Sequence, residues 1–427
     1  MATHDGKIGL WAVVAIGVGG MVGGGIFAVL GLAVQLAHGG TPLAFALAGI
    51  IALLTTHSYA RLSVAFPSRG GTVTFLNRVF GAGLTTGSLN VLLWLSYVVM
   101  LSLYSYAFGS YGSTFFPDSV HALAKHGLIT LVIVVIAGLN LLSAEAIGRA
   151  ERWIVAFKVV ILVGFVGAGF ATIDSARLAP SQWSAALPLV AGGMIIFLAY
   201  EGFELIANTA QDVRDAGRTL PRAYYTAVGF VVALYVVIAI VTVGNLAVDK
   251  IVAAEDYALA EVARPFLGQA GFTIIAIAAM LSTASAINAT LYGTARLSQV
   301  IAEDGELPSS LEKTVWGQPV RGMLITAALT LVVANAFDLS SIATLGSAGF
   351  LLIFAAVNVA NARRETSRVG TAVSIAGVAA CVAAFVALVW QTIATEAPKT
   401  LVLAAMIAIA VAVEAGYRTV ASRRATP

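Results

Sequence analysis

Three ionisable side chains stand in stretches that are otherwise apolar: Lys158 in AFKVVILVGF, and Glu201 and Glu204 in IIFLAYEGFELIANTA. A charge at membrane depth is costly, so such a residue faces a cavity, a partner or a conducting path. A carboxyl there holds a cationic nitrogen, carries a proton, or remains a hydrogen-bonded structural group. A buried lysine gains and loses its proton readily. Lys158 also stands six residues after Arg152, about 9 Å along a helix, so its stem could instead snorkel to the interface. A second kind of chemistry comes from glycine. The run GVGGMVGGGIFAVLG (17–31) holds Gly17, Gly19, Gly20, Gly23, Gly24, Gly25 and Gly31, and each costs about 1 kcal/mol relative to alanine inside a helix. Gly20 and Gly24 have the small-xxx-small spacing of helix packing. Three consecutive glycines at 23–25 go further. They suggest an unwound segment whose N–H groups point into a cavity, with a half-helix start that favours an anion such as a carboxylate. The G-x-G-x-x-A pattern at Gly23, Gly25 and Ala28 has no βαβ context and is discarded as a dinucleotide site.

The elements that must position these residues follow from composition. Of 427 residues 59% are hydrophobic and 11% charged, against about 25% charged in soluble domains; mean hydropathy is +0.93. A soluble enzyme, a nucleic-acid binder and a disordered chain are excluded. Hydropathy gives twelve spans, at 8–34, 42–64, 84–109, 127–143, 150–173, 187–210, 222–246, 269–302, 321–337, 339–361, 369–392 and 400–417, each of membrane-crossing length. The first is too long for a signal-peptide core and is expected to stay in the mature chain. No soluble domain fits between the spans, so 1–427 reads as a single membrane domain.

Lysine and arginine placement orients the spans. With the N-terminus inside, eighteen basic residues fall on that side, among them Arg61, Arg69, Arg214, Lys313, Arg363 and Arg364. Five fall outside (Lys125, Arg177, Lys250, Arg264, Lys399), and Lys158 lies within a span. That bias predicts cytoplasmic N- and C-termini in a cell (inner or plasma) membrane, and it accounts for the basic pI without a nucleic-acid patch. Cys381 is the only cysteine, so no intrachain disulfide can form. No Cys/His/carboxylate cluster has metal-ligand spacing, and no cofactor is implied. His57, one turn before Arg61, reads as structural.

Spans 1 and 6 are five helices apart, and each is interrupted by glycine. Paired discontinuous helices in corresponding halves point to a secondary transporter with a site at the membrane midplane. Five helices per repeat give the halves opposite orientation. The expected fold is an all-α inverted repeat, 8–173 against 187–361, with 369–417 as two extra helices.

Four stretches carry a resemblance: Gly19 to Phe27 (GGMVGGGIF); Phe66 to Thr72 (FPSRGGT); Ala199 to Glu204 (AYEGFE) with Arg218 to Ala223 (RTLPRA); and Ala295-Arg296 with Asp304 to Pro308 (DGELP). Together, in this order, the sequence resembles permeases of the amino acid–polyamine–organocation superfamily, whose fold is the LeuT-type 5+5 inverted repeat. The resemblance implies that N–H groups around Val22, Gly23, Gly24 and Gly25 hold a substrate carboxylate. Carbonyls of Leu198, Ala199 and Glu201 would accept from its α-ammonium. It further implies that Lys158 stands where sodium-coupled relatives hold Na⁺, beside Ser282, Thr283 and Ser285, and serves proton coupling together with Glu204. Leu198 occupies the place of a bulky aromatic gate, leaving Phe197, Tyr200 or Phe203 to substitute. Trp94, Ser96, Tyr97, Tyr104, Tyr106 and Asn288 are further candidates for the pocket lining. Glu201 stands where many relatives have a small or apolar residue, so its carboxyl is open to three roles: substrate nitrogen, proton or structure. The expected activity is amino-acid permeation, proton-coupled, by alternating access; the rival is transport of amines, polyamines or cationic amino acids, or exchange of an amino acid for an amine. The expected partners are that small molecule, protons and the lipid bilayer, with no obligatory protein partner. An intramembrane enzyme would need a Ser/His, paired-Asp or metal constellation, and the sequence offers none. A channel fits poorly with paired broken helices.

Overall fold

The computed structural model describes residues 7–142, 144–312, 314 and 319–425; Lys313, counted above among the basic residues, lies outside them. Among the described residues every regular element is helical. Nine helices among the described residues are long and apolar enough to cross a membrane, or ten if one bent pair forms a single span. The protein is an all-helical, multi-pass membrane protein.

The bent pair is the glycine-rich first segment. Helices α1 (Leu10–Met21) and α2 (Gly25–Ala37) meet at 47°. Val22 still donates its N–H to Val18, but its own backbone (φ −77°, ψ 49°) has left the helix. The expected interruption in span 6 takes another form. Helix α8 (Ala186–Phe197) passes into a tighter 3-10 winding over Leu198–Asp212, and Leu198 keeps helical dihedrals (φ −56°, ψ −31°). Winding changes here without a gap, because Gly202 is used to admit a neighbouring backbone, described below.

Between and after these lie α3 (Thr41–Ala65), the short α4 (Gly71–Phe80), α5 (Leu84–Ser113), α6 (His121–Leu142), α7 (Ala144–Phe170), α9 (Ala216–Asn245) and the short α10 (Val248–Ala253). Helix α11 (Ala258–Glu303) bends at Gly268 (φ +63°), and α12 (Val320–Ala336) has 17 residues. Helices α13 (Leu339–Arg364) and α14 (Arg368–Ala425) complete the chain. As one straight helix, the 58 residues of α14 would reach about 87 Å, nearly three membrane cores. The chain instead breaks at Glu396 (φ −147°, ψ 66°) ahead of Pro398. Asn361, near the end of α13, donates to Ser374, whereas Lys399 pairs with Asp338 at its start. Glu414 then lies back against Gly87 near the start of α5. The two arms of α14 therefore cross in opposite directions.

Burial separates centre from rim. In the most apolar windows of α5 and of Ala186–Asp212, 89% of residues are buried inside the protein, against 22% for Trp153–Phe170. The broken first segment, α5, the span-6 segment and α13 thus form the centre, and α6, α7 and α14 present apolar side chains to lipid. At the face carrying the N-terminus, Ile8 donates to the carbonyl of Asp212 (2.8 Å) and accepts from the N–H of Arg214 (2.9 Å), a small parallel bridge that ties α1 to the end of the 3-10 segment.

The same face carries Glu365, just past α13. Arg61 donates two hydrogen bonds to it (2.8 and 3.0 Å) and the N–H groups of Ser367 and Thr366 add two more. The Arg61 bonds chiefly, then these N–H groups, outweigh burial and hold the carboxyl down at about 2. A folded-state pKa below the unfolded value stabilises above about pH 4.5, and the gain is lost as pH falls through about 2. Glu365→Gln should therefore lower the thermal midpoint at pH 7, with the gap to wild type narrowing below pH 4.5. A constant gap across that range would mean the ion pair contributes nothing.

Candidate functional site

A cavity of about 950 Å³ opens at the N-terminal face and runs to the protein centre. Its mouth is formed by exposed residues of α1 (Trp11, Ala12, Ala15) and by Arg214; its depth is lined by Gly19, Gly20, Tyr97, Tyr104, Ser285, Ala286 and Glu201. Among the described residues Glu201 is the only acid in the lining and Arg214 the only base. Glu201 is 3% exposed, and its Oε2 has no hydrogen-bond partner. The cavity therefore combines apolar and aromatic walls with one uncompensated carboxyl at depth.

The break between α1 and α2 closes one side of this space. A helix end leaves its last carbonyls without helical donors, and here side chains supply them. Lys158, 2% exposed on α7, donates from Nζ to Gly19 O (3.0 Å). Tyr235 of α9 donates to Met21 O (2.7 Å). Ser282 of α11 donates to Gly23 O (2.8 Å) and, at 3.4 Å, to Val22 O. A cationic side chain at the carbonyl end of a helix also complements its dipole. Lys158 and Ser282 thus both meet the broken segment. Thr283 turns its hydroxyl back to Ala279 and Met280 of its own helix, while its methyl faces Gly24. Ser285 faces the cavity.

On the other side of the break, the α2 ladder begins with Ala28 N–H on Gly24 O (3.0 Å), which leaves Gly25, Ile26 and Phe27 N–H without helical acceptors. The N–H of Val22 is taken by Val18 O (2.7 Å). Gly23, Gly24 and Gly25 are buried and outside the cavity lining, with the Tyr104 ring directly over Gly24. A side chain at Gly24 would enter that ring, and one at Gly25 would meet Ala199 Cα at 2.8 Å. The broken first segment and span 6 are therefore in backbone contact, and they touch again lower down. A Cβ on Gly202 would lie 2.3 Å from the carbonyl carbon of Gly20, and one on Gly20 would lie 2.6 Å from Gly202 O.

The other residues read from the sequence divide between the cavity and its surroundings. Leu198 packs against Gly346 of α13, and Ala199 meets Gly25. Phe197, Tyr200 and Phe203 point away from the cavity into an aromatic cluster. Phe197 and Phe203 pack on Phe354 (5.7 and 5.3 Å between ring centres), Phe203 also on Tyr59 (5.3 Å) and Tyr200 on Tyr235 (5.2 Å), with the Tyr200 hydroxyl on Phe45 O (3.2 Å). The aromatic residues lining the cavity at depth are Tyr97 and Tyr104 of α5. Trp94 bonds Thr326, Ser96 its own helix, Tyr106 Lys125, and Asn288 faces Asn140 on α6. His57 meets the Tyr225 hydroxyl at 3.0 Å.

Glu204 lies behind the cavity wall. It accepts from the Tyr59 hydroxyl (2.9 Å) and more distantly from Thr72 (3.5 Å), whose hydroxyl is 2.7 Å from that of Tyr59. Together with Thr72 and Tyr97 it lines a cleft of about 20 Å³, and Tyr97 borders both spaces. Thr72 is brought there by Gly71, whose φ of +46° suits glycine and whose missing side chain leaves room for Asn208. Tyr59, Thr72 and Tyr235 escaped the sequence reading of the site. The GGT stretch was visible, but nothing in a tyrosine's neighbours shows which buried oxygen it will reach. Among the described residues no group of three or more His, Cys, Asp or Glu could hold a metal ion.

Comparison with known proteins shows the family to which the chain belongs. Residues 8–413 match the model of a family described as amino acid permease. The chain is 36% identical to the inner membrane transport protein YbaT of Escherichia coli over 82% of either chain. It is 25% identical to the branched-chain amino acid permease BcaP of Lactococcus lactis, over 80% of this chain and 78% of that one. It is 24% identical to the methylthioribose transporter of Bacillus subtilis, over 81% and 78%.

Proposed function

The chain belongs to the amino acid permease family, a transporter and not an enzyme, and from that premise we propose that it is a proton-coupled amino-acid symporter working by alternating access. The observation that carries the coupling is the Lys158 amine on Gly19 O at the break in the first segment. An ammonium there occupies the position a metal cation would need, bonded to the carbonyl end of a half-helix, and it can be exchanged for a neutral amine by losing one proton. Glu204, held by Tyr59 and Thr72 beside the cavity wall, is the second proton-handling group.

The substrate sits between the two central segments. Its carboxylate is held by N–H groups at Gly23, Gly24 and Gly25, with Val22 at their edge. Its ammonium is held by carbonyls of Leu198, Ala199 and Glu201, and the cavity floor at Tyr104 separates it from the exit. The positive start of the α2 half-helix beside the carbonyls of the tightly wound span-6 segment suits a zwitterion. Twelve crossings are assigned, counting the bent pair once, α12 as a short span and the two arms of α14 separately, with 8–173 and 187–361 as the inverted halves. The lysine and arginine bias puts both termini in the cytoplasm of the cell membrane, so the cavity is the inward-facing one.

Purified protein in liposomes tests the reading. An imposed inward proton gradient should drive accumulation of amino acids above their external level, and a sodium gradient of equal size should not. Accumulation that needed sodium and ignored pH would overturn the coupling.

A further inference from the structure

We propose that Glu201 is a specificity determinant that selects amino acids whose side chain carries a second cationic nitrogen. The inference rests on the reading of the central cavity as the substrate route and deepens it. Among the described residues Glu201 is the only acid in the cavity lining; it is 3% exposed, and its Oε2 has no hydrogen-bond partner among them. The basic residues do not answer it: Lys158 is committed to Gly19 O, and Arg214 lines the mouth among exposed residues. A buried carboxylate with no counter-charge is unfavourable, and a cationic group on the ligand would supply the missing charge.

The surroundings of the carboxyl fit an ammonium or guanidinium. Tyr104 and Tyr97 line the same depth and offer π faces to a cation. The Tyr97 hydroxyl oxygen is itself buried without a partner and can accept a hydrogen bond from the same nitrogen. The α-ammonium is already met by the span-6 carbonyls in the proposed binding mode, which leaves the carboxylate for a nitrogen at the far end of the substrate. Tyr97 and Tyr104 belong to α5, so the side-chain pocket lies between α5 and span 6, and the cavity of about 950 Å³ accommodates a long side chain.

The test compares L-lysine with L-norleucine, which has the same carbon chain without the terminal ammonium, as competitors in a binding assay on the full-length protein. The wild type should prefer lysine by roughly tenfold or more, the equivalent of one charge-assisted hydrogen bond. Glu201→Gln, close in shape, should bring the ratio near one chiefly by weakening lysine, and Glu201→Asp should keep part of the preference. An unchanged ratio in Glu201→Gln would overturn the proposal. So would an equal loss for both ligands, which would assign Glu201 to the α-ammonium. Failure of both amino acids to bind the wild type is a different outcome, and it removes the amino-acid reading itself. Thermal midpoints of the two variants within a few degrees of wild type confirm that folded protein is being compared.

Discussion

Lys158→Ala should abolish uphill accumulation driven by a proton gradient while leaving substrate exchange across the membrane in place. Lys158 supplies the charge at the carbonyl end of α1, 3.0 Å from Gly19 O, and alanine supplies neither charge nor donor. Under the proposed coupling, proton-driven uptake is expected to fall roughly tenfold or more, the equivalent of at least one charge-assisted hydrogen bond. The same substitution leaves Gly19 O buried without its donor, which costs about 1–3 kcal/mol of stability. The two effects are separable. Counterflow exchange, which needs folded protein and an alternating site but no gradient, should persist in the variant, while its rate loses the pH dependence of wild type. A variant with wild-type pH dependence would remove Lys158 from the coupling mechanism, whatever its stability.

The second large effect is expected where the two central segments touch. Gly202→Ala puts a methyl 2.3 Å from the carbonyl carbon of Gly20 and 2.5 Å from the N of Met21. These are main-chain atoms in a helix, so no side chain can rotate out of the way, and the helices must separate. Overpacking of a tight core costs about 1–3 kcal/mol, and a rigid wall of backbone places this substitution at the upper end, about 3 kcal/mol. Transport should fall with it, because the span-6 segment positions Glu201 and the carbonyls around it. Gly229→Ala in α9 is the control, since nothing lies within 4 Å of the added carbon and alanine favours a helix. Thermal melts in detergent should show a large fall for Gly202→Ala and no fall for Gly229→Ala. Equal behaviour of the two variants would mean that the crossing tolerates separation.

What could be read from the sequence follows the physics of each feature. Span positions are set by transfer free energy summed over about twenty residues, a local property, and the apolar runs accordingly match the helices. The glycine triplet at 23–25 marked the real break, because three consecutive residues without side chains leave little to hold a helix. Gly202 misled for a related reason. One glycine serves unwinding and close packing equally well, and the choice is made by Gly20, which lies 182 positions away in the chain and has no local signature. Phe197, Tyr200 and Phe203 illustrate the same limit. Their spacing in the sequence was plain, but in this tightly wound stretch their rings turn to Phe354, Tyr235 and Tyr59, and α5 provides the aromatic residues at the cavity's depth. The depth of Lys158, Glu201 and Glu204 was legible from their apolar flanks. Their partners belong to tertiary structure: a carbonyl for the lysine, two hydroxyls for Glu204, and no group among the described residues for Glu201 Oε2.

The bridge between Ile8 and the segment 212–214 has a further consequence. Both of its hydrogen bonds run from main chain to main chain, so the fastening at the cavity mouth is blind to the identity of the side chains that stand there. Only proline at position 8 or 214 would remove a donor. Substitutions along the cavity wall can therefore accumulate without loosening the fastening. Such a latch lets selectivity drift from one solute to another while the two segments at the mouth keep their connection.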